Sequence, residues 1–282
     1  MIHLLRPGDD SYKTVSLEDL RASKSLLHEA LWIDLFQPTE EEEKYVEKAL
    51  GVDLPSPEEM NEIAESSRLF EENGVLYLSC WLLCLDTTIP QNSSVSFVLT
   101  PNRFVSIRHS DHHAIRIFSS TRNRLQTRRF HTGEGVFVDL LDNVAGHVAS
   151  MLRLVEQDLN SLSEEIFAEQ KAQQKKAQKL GLKRIVQRLG KRNAVVASLR
   201  ESSVSLSTLM PFFYGFAGER LKPHVAEQLK SLERDINSLR QYDAALSSEI
   251  NFLLDSTVGL INFEQNQSIK ILSVAAVLVA LI

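Results

Sequence analysis

The feature that most constrains this chain is its last stretch, from Pro223 to Ile282, where Gly259 is the one residue after the opening proline that disfavours a helix. Val225, Leu229, Leu232, Ile236, Leu239, Leu246, Ile250, Leu253, Thr257 and Leu260 recur at steps of mainly four and three, with Asp243 in the one vacant stripe position. That spacing is a heptad seam held over about five repeats, the pattern of a coiled coil. If helical throughout, the segment forms a rod on the order of 90 Å long at ~1.5 Å per residue. No compact monomer needs such a helix, and it reads as a stalk. The stretch closes on ILSVAAVLVALI, twelve uncharged and mostly apolar residues. Roughly 20 are needed to cross a bilayer. The run therefore reads as a membrane helix cut short by the end of the chain, with a buried terminal helix as the alternative.

The rest of the chain is of another kind. Hydrophobic residues make up 43% and charged residues 24%, a globular composition, and the formal net charge of -6 gives no reason to expect nucleic acid. Cys80 and Cys84 are too few for a disulfide framework and suit a reducing compartment. MIHLLRPGDD lacks the basic and apolar regions of a signal peptide. The bulk of the chain is thus expected in the cytoplasm.

Local signals divide the chain further. LWIDLF, residues 31–36, is an apolar run suited to a buried strand. Thr39 and Glu42 form a capping box for a helix over Glu40–Leu50 that Gly51 ends, and Ser56, Pro57 and Glu59 repeat the device. Asn73-Gly74 joins RLFEE to VLYLSCWLLCL as a hairpin, and SVSFVLT and RFVSIRH form a second hairpin across Pro101-Asn102. A short helix is expected over 114–125. Together these give an α/β domain with a mixed sheet flanked by helices. From Gly135 the pattern is helical only, with an apolar stripe through Leu141, Val144, Val148, Met151, Val155, Leu159, Leu162 and Ile166. Gly181, within a basic polar stretch, reads as the tip of an antiparallel hairpin. The return helix is expected over 182–209, with MPFFYGFAGERLKP as a loop.

Several clusters carry possible chemistry. Asp255, Gly259, Asn262 and Asn266 fall on one helical face just before the apolar run, since eleven residues make close to three turns. Mg²⁺ gives up its waters reluctantly, so a ring of oxygen-bearing side chains can hold it through its hydration shell. A solvated polar stripe is the plainer reading of that face. Asp243 is a polar residue in an apolar seam, where it can fix register at a cost in stability or, repeated between copies, sense cations; a locally splayed seam with water inside is the plainer reading. His109, Asp111, His112 and His113 read chiefly as a surface turn, with a zinc-related role as the alternative. The basic stretch from Lys171 to Arg192 lacks interleaved aromatics and reads as a solvated tip. No glycine-rich phosphate loop, GxSxG or HExxH motif is present, and the chain does not read as an enzyme.

From WIDLFQPTEEEEKYVEKALGV through LLDNVAGHVASMLRLVEQDLNSLSEEIF to the stalk and NQSIKIL, the chain resembles the CorA family of divalent-cation transporters over nearly its whole length. The resemblance implies an α+β chain: an N-terminal cytoplasmic α/β domain over 1–132, a helical hairpin over 133–222, a stalk helix over 223–270 and the start of a first transmembrane helix over 271–282. It further implies a funnel-shaped homopentamer in the inner membrane, anchored in the bilayer by the C-terminal segment. The family carries hydrated Mg²⁺, with Co²⁺ and Ni²⁺ also accepted, and a close branch, ZntB, moves Zn²⁺. The family's Gly-Met-Asn signature would fall beyond Ile282. Hairpin tips are often acidic in magnesium-carrying members, whereas this one is rich in Lys and Arg. By their spacing to the KIL segment, Asp255 and Asn266 match an Asp and an Asn at the family's cytoplasmic pore entrance. Regulatory cation sites built from carboxylates are implied between neighbouring subunits, with Asp86 as one candidate partner and Glu233 or Asp235 as the other. The reading of another class is a membrane-anchored coiled-coil scaffold or sensor.

Overall fold

A computed structural model describes residues 1–9, 11–23, 25–84, 91–101, 103–120, 132–169 and 175–280. The strands are β1 (Ile2–Leu5), β2 (Lys13–Val15), β3 (Trp32–Phe36), β4 (Leu69–Glu72), β5 (Val75–Cys84), β6 (Gln91–Leu99) and β7 (Phe104–Arg108). They form one sheet in the order β2-β1-β3-β7-β6-β5-β4. Only β3 and β7 pair in parallel; the other neighbours are antiparallel. The sheet is therefore mixed.

Alternation along each strand explains why these runs look continuously apolar. Trp32, Leu78, Cys80, Leu82, Val95, Phe97 and Phe104 enter one buried cluster. Ile33, Leu35, Tyr77, Val98, Val105 and Ile107 enter another. A sheet covered on both faces has no solvent side on which to place polar residues. The turn between β4 and β5 falls at Asn73 and Gly74, both with positive φ (52° and 76°), as an Asn-Gly hairpin demands.

Short helices α1 (Leu17–Ala22), α2 (Ser25–Glu29), α3 (Glu40–Leu50), α4 (Pro57–Met60), α5 (Glu65–Arg68) and α6 (His113–Ser120) accompany the sheet. The capping boxes form at Thr39–Glu42 and Ser56–Glu59, and Gly51 ends α3 in the left-handed region at φ 68°. A third capping box, Ser16 with Asp19, starts α1. The box at Ser56 opens only a single turn, because α4 stops at Met60.

Three long helices follow: α7 (Gly133–Glu169), α8 (Lys175–Ala217) and α9 (Pro223–Ala280). Two expectations for α8 are corrected. The helix begins at Lys175 and passes through Gly181, so the tip does not lie there. It also continues through Pro211 to Ala217, where a loop was expected. A proline inside a helix costs about 3 kcal/mol. Here Leu206, Leu209, Met210, Phe213 and Ala217 are all buried in the core, with Phe213 edge-on to Phe137 at 4.9 Å. Burial of Leu206, Leu209, Met210 and Phe213 stabilises by roughly 1.5–3 kcal/mol each, which together outweighs the proline. The helix stops at Gly218, where a Cβ would lie 2.5 Å from the Tyr214 carbonyl oxygen.

The chain forms two compact units. The first comprises 1–150 and 198–241 and holds the sheet; the second comprises 151–197 and 242–282 and is wholly helical. In the second, Val155, Leu159, Leu162 and Ile166 of α7, Leu182, Ile185 and Leu189 of α8, and Leu246, Ile250 and Leu253 of α9 are all buried. Asp158 on α7 is gripped by Arg188 (2.8 Å) and Arg192 (2.6 Å) on α8.

Candidate cation site on the long helix

The helix α9 is continuous from Pro223 to Ala280, passing through Gly259, as the sustained heptad pattern predicts. At 1.5 Å per residue it spans roughly 87 Å. Its apolar seam is covered within one chain. Val225, Leu229, Leu232 and Ile236 are buried in the first unit, and Leu246, Ile250, Leu253 and Thr257 in the second. Thr257 is the last buried residue of α9 among those described, and its hydroxyl donates back to the Leu253 carbonyl.

Asp255, Gly259, Asn262 and Asn266 are all exposed and share one face of the helix. At about 100° per residue they fall within a narrow stripe. Phe252 (59% exposed) and Phe263 (61%) flank it on one side, and Val258 flanks it on the other. The stripe offers one carboxylate and two amide oxygens over about three turns, all hard oxygen donors suited to a hydrated dication.

Asp243 stands apart. It is only 2% exposed, among the buried seam positions of the helical unit. Twelve residues from Asp255, it lies about a third of a turn off the polar stripe. At this position the seam is covered by the chain's own residues. Glu233 and Asp235 are exposed on α9. Asp86 lies outside the described residues. Among the described residues, no three His, Cys, Asp or Glu side chains converge as a metal-binding group. No described helix is long and apolar enough to cross a membrane.

The HSDHH segment is not the expected surface turn. His112 is buried, its Nε2 2.9 Å from the Ser93 hydroxyl, and burial with the Arg108 charge pushes its imidazole down to about 4. Asp111 is paired with Arg116 at 2.9 Å. Cys80 and Cys84 are buried thiols that form no disulfide, and burial pushes the Cys80 thiol up to about 12, which leaves it inert.

The sequence reading missed a buried network in the sheet. Arg108 donates to both oxygens of Asp34, Ser106 donates to the same carboxylate at 2.7 Å, and the Trp32 indole donates to Ser106 at 2.9 Å. Asp34 and Ser106 are register partners across the parallel β3–β7 pair. A charged residue in each of two mostly apolar strands was the available signal.

With this geometry in view, the matches to known proteins bear on the whole chain. The model of the CorA-like Mg²⁺ transporter protein family matches residues 28–281. The magnesium transport protein CorA of Mannheimia succiniciproducens is 30% identical over 255 residues, covering 90% of this chain and 78% of that one. Its namesake in Pasteurella multocida is 28% identical over 270 residues, covering 93% and 82%. Among solved structures, the complete CorA magnesium transporter from Methanocaldococcus jannaschii superposes with a TM-score of 0.73 at 16% identity, covering 98% of this chain and 82% of that one. The ZntB cytoplasmic domain from Vibrio parahaemolyticus gives 0.60 at 11% identity, covering 95% and 98%. A sheet domain continued by an unbroken long helix is thus shared in fold as well as in sequence, and the chain belongs to the CorA-like Mg²⁺ transporter family.

Proposed function

We propose that this chain is the cytoplasmic, gating portion of a channel-type transporter that passes hydrated Mg²⁺ through the inner membrane, with Co²⁺ and Ni²⁺ also admitted. The bulk of the chain lies in the cytoplasm, and the apolar end of α9 enters the bilayer. Copies gather as a homopentamer around the distal part of α9, and cytoplasmic cation binding biases the closed state.

The observation that carries this reading is the exposed stripe of Asp255, Asn262 and Asn266, placed where the chain's own helices cease to cover α9. A plain membrane anchor has no use for a row of oxygen donors on one face. Copies packed side by side would bury the flanking Phe252 and Phe263 and turn the stripe toward a common axis. A hydrated dication is held there through its water shell, bound firmly enough to enter and weakly enough to leave.

Cysteine cross-linking in native membranes tests the arrangement, because both natural cysteines are buried. The double variant Val258→Cys/Phe263→Cys, which gives each copy one exposed thiol on either side of the stripe, is expected to give oxidative ladders reaching five copies, and Asp255→Ala is expected to alter Mg²⁺ uptake. Ladders that stop at the dimer, with uptake untouched, would support a scaffold instead.

A further inference from the structure

The transport reading leaves the histidines around α6 without a role. His113 opens that helix, and its ring centroid lies 5.2 Å from that of His147 on α7, the planes inclined by 52°. The Nε2 of His147 is buried and has no hydrogen-bond partner among the described residues. Beside it opens a cleft of about 370 Å³, lined by Ala114, Asp142, Asn143, Gly146 and Ser150 as well as His147. Asn143 ties the two helices together by donating to the Ala114 carbonyl at 2.7 Å. Two imidazoles packed only for cohesion would need neither an unsatisfied buried nitrogen nor a polar cleft beside it. Two imidazoles on one tetrahedral cation, each nitrogen about 2.0–2.1 Å from the metal, set their centroids roughly 5 Å apart.

We propose that His113 and His147 form a site for a first-row transition dication, Zn²⁺, Ni²⁺ or Co²⁺, that staples α6 to α7. No third His, Cys, Asp or Glu converges there among the described residues, so water fills the remaining positions from the cleft. Imidazole suits these borderline cations, whereas Mg²⁺ prefers oxygen and keeps its water. The site therefore distinguishes transition metals from the magnesium that the polar stripe of α9 would pass. Burial, and then the neighbouring His113, hold His147 below the usual imidazole range, which keeps the ring neutral and able to ligate.

Arg116 sets the terms of binding. It donates to His113 Nδ1 at 3.0 Å and is itself held by Asp111. While that bond stands, His113 carries its proton on Nε2 and has no free lone pair to offer a metal. Coordination thus requires Arg116 to let go, and its side chain is 56% exposed and able to swing outward.

The test is calorimetric titration of the whole chain in detergent with Zn²⁺, in a large excess of Mg²⁺. One Zn²⁺ per chain should bind despite the Mg²⁺. His113→Gln and His147→Gln should each weaken it by more than about tenfold, a loss that even outer-shell changes can cause at metal sites. Arg116→Gln, which removes the competitor for Nδ1, should tighten it, and His109→Gln should leave it unchanged. His113 is only half-buried, so its variant tests the site even if His147→Gln disturbs the fold. Absence of Zn²⁺ binding, wild-type affinity in both histidine variants, or an Arg116→Gln affinity no tighter than wild type would overturn the proposal.

Discussion

His112 makes the first unit sensitive to acid, by an amount the structure allows to be worked out. The residue lies between β7 and α6, 1% exposed, against Ser93 on β6. Burial, and then the Arg108 charge, bring its imidazole from an ordinary 6.5 down to about 4; backbone hydrogen bonds at Ser93 and Ser110 and the charge of Asp34 oppose this only in part. The folded state thus holds the neutral ring. Below pH 6.5 the unfolded chain takes up a proton that the folded chain refuses, so stability is full above that pH and falls as the solution is acidified toward pH 4. At 1.36 kcal/mol per pH unit the whole gap is worth about 3 kcal/mol, of which about 2 kcal/mol is lost by pH 5.

Denaturant unfolding followed by tryptophan fluorescence reads this unit alone, because Trp32 and Trp81 both lie in it. His3 and His147 are also held below the ordinary imidazole range, so the wild type alone cannot isolate His112. The quantity to measure is the difference between wild type and His112→Asn, at pH 7.5 and at pH 5.0. The wild type should lose about 2 kcal/mol more than the variant over that interval. Equal losses in the two proteins, or a larger loss in the variant, would refute the reasoning.

Arg108→Met should destabilise the same unit by about 3–5 kcal/mol, measured by the same fluorescence, because it strands the Asp34 carboxylate in the sheet without its cation. Ile250→Ala should cost about 2–5 kcal/mol in the helical unit, read by hydrogen exchange on α9, and the loss should not depend on protein concentration because the seam closes within one chain. Thr39→Ala should cost about 1 kcal/mol through the lost cap of α3, visible as a lower thermal midpoint.

What could be read from the sequence was whatever local chemistry decides alone. Capping boxes at Thr39 and Ser56, the left-handed Gly51 and the Asn73-Gly74 turn formed because each satisfies backbone groups within a few residues. Tertiary packing overrode the local signals at Pro211 and Gly181. Phe213 and Ala217 have core positions to fill beyond the proline, and no alphabet of breakers records that. The strands β1 and β2 escaped notice because four and three residues are too short to show a period. Asp34 and Arg108 lie 74 positions apart, and only the parallel register of β3 and β7 brings them together.

The candidate site divides along the same line. Helical periodicity alone places Asp255, Asn262 and Asn266 on one face, and the structure keeps them there, exposed. The same periodicity places Asp243 in the seam but cannot say which helices cover that seam. Thr257 marks where the cover ends. Before it, α9 spends its apolar face on α7 and α8 of its own chain. After it, Phe263, Ile271, Leu272, Val274 and Leu278 stand more than half exposed, which is more apolar surface than one stable monomer ordinarily presents to water. The helix is thus covered by its own chain as far as Thr257 and leaves large apolar side chains exposed beyond it. On the proposed reading, the row of oxygen donors straddling that boundary is where a change in the gathering of copies would be felt by a passing cation.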